Sequence, residues 1–155
     1  MSADELLARA DRIVHARCVA VTTTQPRATL VVSEITFVIA ETFKGRTADR
    51  VVVRQLGGSW RRLVPTPAVG DELVLFLHAP SRVGLTSPVG LSQGFLRVVR
   101  PAGGAATLVG DARIVAALGG GGTAAARTHG PVGSTAAVPL DAALATLRAR
   151  VGGLP

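Results

Sequence analysis

Apolar positions in this chain recur mostly at every second residue, the period of a strand with one covered face. In one stretch they do not alternate at all. That stretch is VGDELVLFLH, Val69 to His78, where Leu73, Leu75 and Leu77 interleave with Val74 and Phe76 after a Gly-Asp turn. Neither face is polar, so both are expected to be covered and the segment to be the central strand of a β core. RIVHARCVAVTTT, Arg12 to Thr24, sets Val14, Ala16, Cys18 and Ala20 against His15, Arg17 and Val19. This predicts a strand with a small-residue inner face, Cys18 buried within it, and a turn at Gln25-Pro26-Arg27. ATLVVSEITFVIAETF, Ala28 to Phe43, is rich in β-branched residues and too long to lie flat, which predicts a bend or bulge near Ser33-Glu34. Asp49 to Leu56 and Val89 to Arg100 complete a set of five strands, with Gly90 and Gly94 as bulges or points of close approach.

Helical signals stand at the two ends. Ser2 and Glu5 form a capping box for a short helix over Ala3 to Ala10. Near the C-terminus, Pro139 suits a first helical turn, Leu140, Leu144, Leu147 and Val151 form one stripe, and Gly152 supplies a stop. Between Pro101 and Ala137 the composition shifts to Gly and Ala. Residues 106–111 and 113–118 are expected to pair as an edge hairpin, followed by a loop from Gly119 to Ala137. The expected organisation is thus one domain: a barrel over 11–100, a Gly/Ala-rich hairpin and loop over 101–137, and a C-terminal amphipathic helix over 138–151.

Composition narrows the function classes without choosing among them. With 155 residues, 48% hydrophobic and 17% charged, the chain is a folding sequence of one-domain size. Aromatics are only 3% with no Tyr, so the core is aliphatic. The net charge of +7 permits contact with polyanions. One cysteine excludes an internal disulfide and a Cys-rich zinc site, and no apolar run reaches the ~20 residues that span a bilayer. The opening MSADELLARA lacks the pattern of a signal peptide.

Catalytic motifs are missing. His15, His78 and His129 are isolated in sequence and read as surface or strand-end residues. Ser92 in G-L-S-Q-G, Gly90 to Gly94, has the spacing of a nucleophile elbow, but a β-rich segment follows where the elbow requires a helix. No phosphate-binding loop is present, and no cofactor or metal is expected. The least bland surface is Lys44 to Arg62. It holds Lys44, Arg46, Arg50, Arg54, Arg61 and Arg62 against Asp49 alone, a local balance of +5, with Trp60 in a Gly/Pro-framed loop. These residues are the expected binding site. Trp60 is either an anchor for a partner or a plug over the open end of the barrel.

Glu41 to Gly45 (E-T-F-K-G), then V-V-V-R, then G-D-E-L-V-L-F-L, resemble an OB-type barrel of the netrin-like class, to which tissue inhibitors of metalloproteinases belong. The same pattern resembles a group of uncharacterised exported bacterial domains. In those, an A-D-R-I-V strand (Ala10 to Val14) opens the barrel, and P-x-x-G-D-E-L-V-L-F-L leads to G-L-x-Q-G-x-x-R-V, here Gly90 to Val98. The resemblance implies a mainly β fold: a five-stranded OB-like, netrin-like barrel with a short N-terminal helix and a C-terminal amphipathic helix. It also implies an extracytoplasmic home behind a leader, with a cytoplasmic home as the alternative. Netrin-like inhibitors ligate the enzyme's zinc through an N-terminal cysteine, whereas this chain opens Met1-Ser2-Ala3-Asp4. The expected function is a non-enzymatic binding or structural module acting through protein contacts or self-association. The alternatives are an OB-type nucleic-acid binder using the basic 44–62 surface and, second, a protease-inhibitor-like module.

Overall fold

A strand with two apolar faces needs a layer on each side, and the computed structural model of the chain supplies both. It describes residues 1–57, 66–119 and 134–153. The strands are β1 (Arg12–Arg27), β2 (Leu30–Lys44), β3 (Arg50–Leu56), β4 (Glu72–Leu77), β5 (Phe95–Val99), β6 (Thr107–Asp111) and β7 (Thr135–Pro139). The helices are α1 (Ala3–Arg9), α2 (Ala112–Leu118) and α3 (Leu140–Gly152). The sheet is antiparallel in the order β3-β2-β1-β4-β5-β6-β7, so β4 is its middle strand. Val74 and Phe76 enter a core shared with Leu6, Leu7, Ile114, Leu118, Leu144 and Leu147 of the helices. Leu73, Leu75 and Leu77 enter a second core with Val14, Ala16, Cys18, Ile35, Phe37, Val51 and Val53. On β1, Val14, Ala16 and Cys18 are buried as the alternation predicts, but past the register shift between Cys18 and Ala20 it is Val21, not Ala20, that packs against this core.

The fold is mainly β, but it is not a five-stranded barrel. The sheet has seven strands and does not close. A closed barrel needs the far edge of β5 to return toward β3, and β6 occupies that edge through Val98↔Leu108 and its neighbours. β7 then extends the sheet further. What remains of the barrel expectation is a curl of β1 to β4 around the helix-free core. The segment after β4 lies along that strand through His78 N–H to Ser87 O and Val89 N–H to Phe76 O, and it reaches β3 by a single bond, Thr86 N–H to Arg54 O at 2.9 Å.

Residues 113–118 are helix, not the second arm of a hairpin. The Asp111 carboxylate accepts from the Arg113 and Ile114 amides, and Ile114, Val115 and Leu118 recur at helical spacing against the core. β6 pairs instead with β5 and β7, so the expected loop from Gly119 yields a strand at 135–139. The β1–β2 turn sits at Ala28-Thr29, two residues beyond the expected position. Register is regular at Ser33 and Glu34 and shifts instead between Cys18 and Ala20 and at two places from Ile13 to Ala16. The expected fifth strand begins as a 3₁₀ turn, Leu91–Gly94, with Phe95 as its first strand residue. A Cβ on Gly94 would lie 2.5 Å from Val89 O, the close approach its position predicts. The capping box is made in full: the Ser2 hydroxyl oxygen accepts from the Glu5 amide, and the Glu5 carboxylate from the Ser2 amide. In α3, Leu140, Ala143, Leu144 and Leu147 are buried.

Candidate functional site

In the described part of the basic stretch, Lys44 to Arg54, the charged side chains meet different partners. Lys44 ends β2 and donates from Nζ to the Leu7 and Ala8 carbonyls at 2.8 and 3.3 Å, satisfying the C-terminal turn of α1. Arg54 pairs with Glu34 across the β2–β3 ladder at 3.3 Å. Trp60, Arg61 and Arg62 lie outside the described residues, so the choice between anchor and plug lies there too. Arg46 and Arg50 are left, and they meet an arginine from elsewhere in the chain.

That partner is Arg12, the first residue of β1. Gly45 adopts φ +84°, and a Cβ there would lie 2.6 Å from Asp11 O and 3.3 Å from Arg12 Cγ. Only a glycine lets the β2–β3 connection pass this close to the start of β1 and lay Arg46 beside Arg12. The three arginines line a cavity of about 500 Å³ together with Asp11, His78 and Pro80, over a floor that includes Val51 and Leu77. It lies at the end of the β1–β4 curl where β1 begins and β4 stops.

Charge in this mouth is poorly compensated. Arg12 Nε and Nη2 are closed off from solvent and have no hydrogen-bond partner among the described residues. Burial first, and then Arg46, push the Arg12 guanidinium below its usual value, while Asp11 pulls the other way. Arg12 was not among the expected site residues. Its sequence signal was present in A-D-R-I-V, which reads as a strand opening, and nothing local reveals that Arg46 crosses over it.

A second charged group forms on the helix-facing side of the sheet. His15 is 8% exposed and is paired on both sides within β1, with Glu41 and with Val74, so it is neither a surface nor a strand-end residue. Its Nε2 lies 2.7 Å from Glu72 Oε1. Arg100 holds the same carboxylate through Nε and Nη2 at 2.7 and 2.8 Å. Glu72 is lowered to about 2, first by the Arg100 hydrogen bonds, against a burial penalty, with His15 adding to the lowering. Next to it, Arg148 of α3 holds Glu41 of β2 through Nε and Nη2 at 2.6 and 2.8 Å. These pairs are saturated and tie α3 and β5 to the sheet. Among the described residues, no three His, Cys, Asp or Glu side chains gather at metal-binding spacing.

His78 is exposed at the end of β4, and His129 lies outside the described residues. Ser92 is exposed on the 3₁₀ turn, with no helix after it; the positive φ of 59° belongs to its neighbour Leu91. No helix among the described residues is long and apolar enough to cross a membrane. Comparison with protein-family models, with curated proteins and with solved structures returns no match to this chain.

Proposed function

We propose that the chain is a non-enzymatic module that works by protein–protein contact, through the exposed side of β3 and the arginine mouth at its foot. One observation carries this reading. On β3, Arg50, Val52, Arg54 and Leu56 all point to the exposed side, with Val52 at 42% and Leu56 at 40%. Val38 of β2, opposite Arg50 in the ladder, adds a third apolar residue at 38%. Aliphatic groups interleaved with arginines on an edge strand are the material of a protein interface, which mixes apolar area with Arg anchors. A cavity of about 350 Å³ beside Arg54 and Leu56, walled also by Leu85, Pro88 and Leu91, extends the apolar part of this surface.

Single-stranded nucleic acid would call for charge combined with stacking aromatics. None of the four phenylalanines is exposed; Phe37 and Phe76 are fully buried. We read the curl of β1 to β4 as the counterpart of the netrin-like barrel that the sequence resembles. We place the module outside the cytoplasm, where the exported bacterial domains of that pattern work.

The first partner to test is a second copy. Sedimentation velocity across a concentration series should show reversible association of the wild type and a monomer for Val52→Asp/Leu56→Asp. Anisotropy with labelled single- and double-stranded DNA should show weak binding that physiological salt erases. A protein that stays monomeric at every concentration, and binds DNA at physiological salt through Arg46 and Arg50, would overturn this reading in favour of a nucleic-acid binder.

A further inference from the structure

β3 ends the sheet, and only one of its two edges is satisfied. Its bonds to β2 fall on odd-numbered residues, in a ladder framed by Ile39 N–H to Asp49 O and by Gly57 N–H to Val31 O. The main-chain groups of Arg50, Val52, Arg54 and Leu56 therefore point away from β2. Among the described residues, the backbone takes up one of them, the Arg54 carbonyl, through Thr86 N–H. Beside the others there is open space. The cavity of about 500 Å³ borders Arg50 and Val52, the one of about 350 Å³ borders Arg54 and Leu56, and Thr86 lines both.

Two other edges are less suited to pairing. On β7 the outward positions are Thr135, Ala137 and Pro139, because Leu140 N–H bonds Ala106 O and Ala112 N–H bonds Ser134 O. Pro139 has no N–H to give. β1 runs on past Arg17, where its pairing with β4 ends, but residues 22–29 are all exposed, so a strand laid there would bury little apolar area.

Resting on the reading of the module as a protein binder, we infer that its contact is made main chain to main chain: an extended segment of the partner lies antiparallel along β3 and takes the place of Thr86 on the Arg54 carbonyl. Residues opposite one another in such a ladder share a face. Positions opposite Val51 and Val53 look into the helix-free core, where Leu77, Leu85 and Pro88 line the two cavities, and they suit aliphatic side chains. Positions opposite Arg50 and Arg54 look outward. No acidic residue lies in that row of β3, and only Glu34 of β2 faces it, so these positions suit Glu or Asp. The partner segment is thus a strand that alternates acidic and aliphatic residues. The edge is guarded, but lightly. The turn before Thr86 is closed on itself by Ser81 N–H to Leu85 O and Gly84 N–H to Ser81 O, so it swings aside at the loss of a single backbone bond to β3.

The test is fluorescence anisotropy with a labelled, amidated peptide of repeated Glu-Val. Its controls are the same peptide N-methylated at the glutamates, a Lys-Val counterpart and a single-stranded oligonucleotide. In the inferred register the glutamate amides face β3. The Glu-Val peptide should bind, and the methylated peptide, which keeps the side chains and loses those donors, should not. The Lys-Val peptide should not bind either. Val52→Pro removes an edge-facing N–H and leaves the β2–β3 bonds in place, a substitution that edge strands accept. It should weaken binding roughly tenfold, whereas Val52→Ala should stay within about threefold of wild type. Thr86→Pro takes away the donor that guards Arg54 and should tighten binding severalfold.

Equal binding of the methylated peptide overturns the inference, and does so on the wild type, whether or not Val52→Pro folds. Unchanged affinity in a folded Val52→Pro, weaker binding by a folded Thr86→Pro, or tighter binding of the oligonucleotide overturns it as well. The assembly test on Val52→Asp/Leu56→Asp reads the exposed face, not the edge. A peptide that fails to bind while the wild type still self-associates removes the main-chain pairing and leaves the protein contact standing. A bound peptide with a wild type that stays monomeric supports the edge and removes the second copy as partner.

Discussion

At the scale of single residues, Glu72 is the most strongly perturbed ionisable group among the described residues. The Arg100 hydrogen bonds, with His15 adding to them, lower it from 4.5 to about 2 against the cost of its partial burial. In the unfolded chain these partners are gone and the carboxyl returns to its ordinary value. The stabilisation is therefore present above pH about 4.5 and is lost as the pH falls from there through about 2. With Arg100 half-exposed and screened, it is on the order of 2 kcal/mol. Chemical denaturation at a series of pH values should show this loss in the wild type. Glu72→Gln should be less stable at pH 7 and should lose less between pH 5 and 2. An acid slope identical in the two proteins would show that Glu72 is not responsible. Sequence reading saw Glu72 only as part of a strand and His15 as one of three isolated histidines. Neither contact is local: the two residues are 57 positions apart.

At the scale of elements, the decisive case is residues 106–118. Val109 and the run Ile114-Val115 satisfy an alternating pattern as well as a helical one, and such short apolar runs do not choose between the two. Asp111 chooses. It caps two amides of α2, and its other oxygen accepts from Gln93 Nε2 at 3.1 Å. Asp111→Ala should cost about 1–2 kcal/mol of stability through the lost cap, read as a lower denaturant midpoint at an unchanged slope. A midpoint within error of wild type would mean that tertiary packing alone holds α2. The capping box of α1 and the stripe of α3 were legible because each signal is local and has no competing period. The basic stretch was only half legible. Its charge is plain in sequence, yet Lys44 and Arg54 are taken up by α1 and Glu34, and the residue that completes the mouth, Arg12, lies more than thirty positions upstream of Arg46.

At the scale of the whole molecule, β4 joins the two cores. Leu75 lies in one and Phe76 in the other, and both are fully buried. A molecule made of a barrel and a separate helical layer could lose one and keep the other. Here each core has β4 as a wall, so the two should melt together. Leu75→Ala is expected to cost roughly 2–5 kcal/mol and Phe76→Ala roughly 3–5 kcal/mol. In both variants circular dichroism at strand and helix wavelengths should report one coincident transition. Separate transitions in either variant would show that the cores are independent.

Hydrophobic pattern by itself determined that the protein is mainly β, that Val69 to His78 holds its central strand, that Cys18 faces inward, and that helices stand at both ends. These are consequences of period and of local capping, which act within a few residues. Tertiary structure alone decided that the sheet stays open. Whether an edge pairs with a neighbour or closes on a distant strand depends on which segments compete for it, and β6 and β7, drawn from the Gly/Ala-rich region, take the edge that closure would need. It alone also decided where the free charge lies. An arginine's role depends on which carboxylate or carbonyl the fold brings within reach, and Arg12, Arg46 and Arg50 share a cavity wall with Asp11 without an ion pair among the described residues.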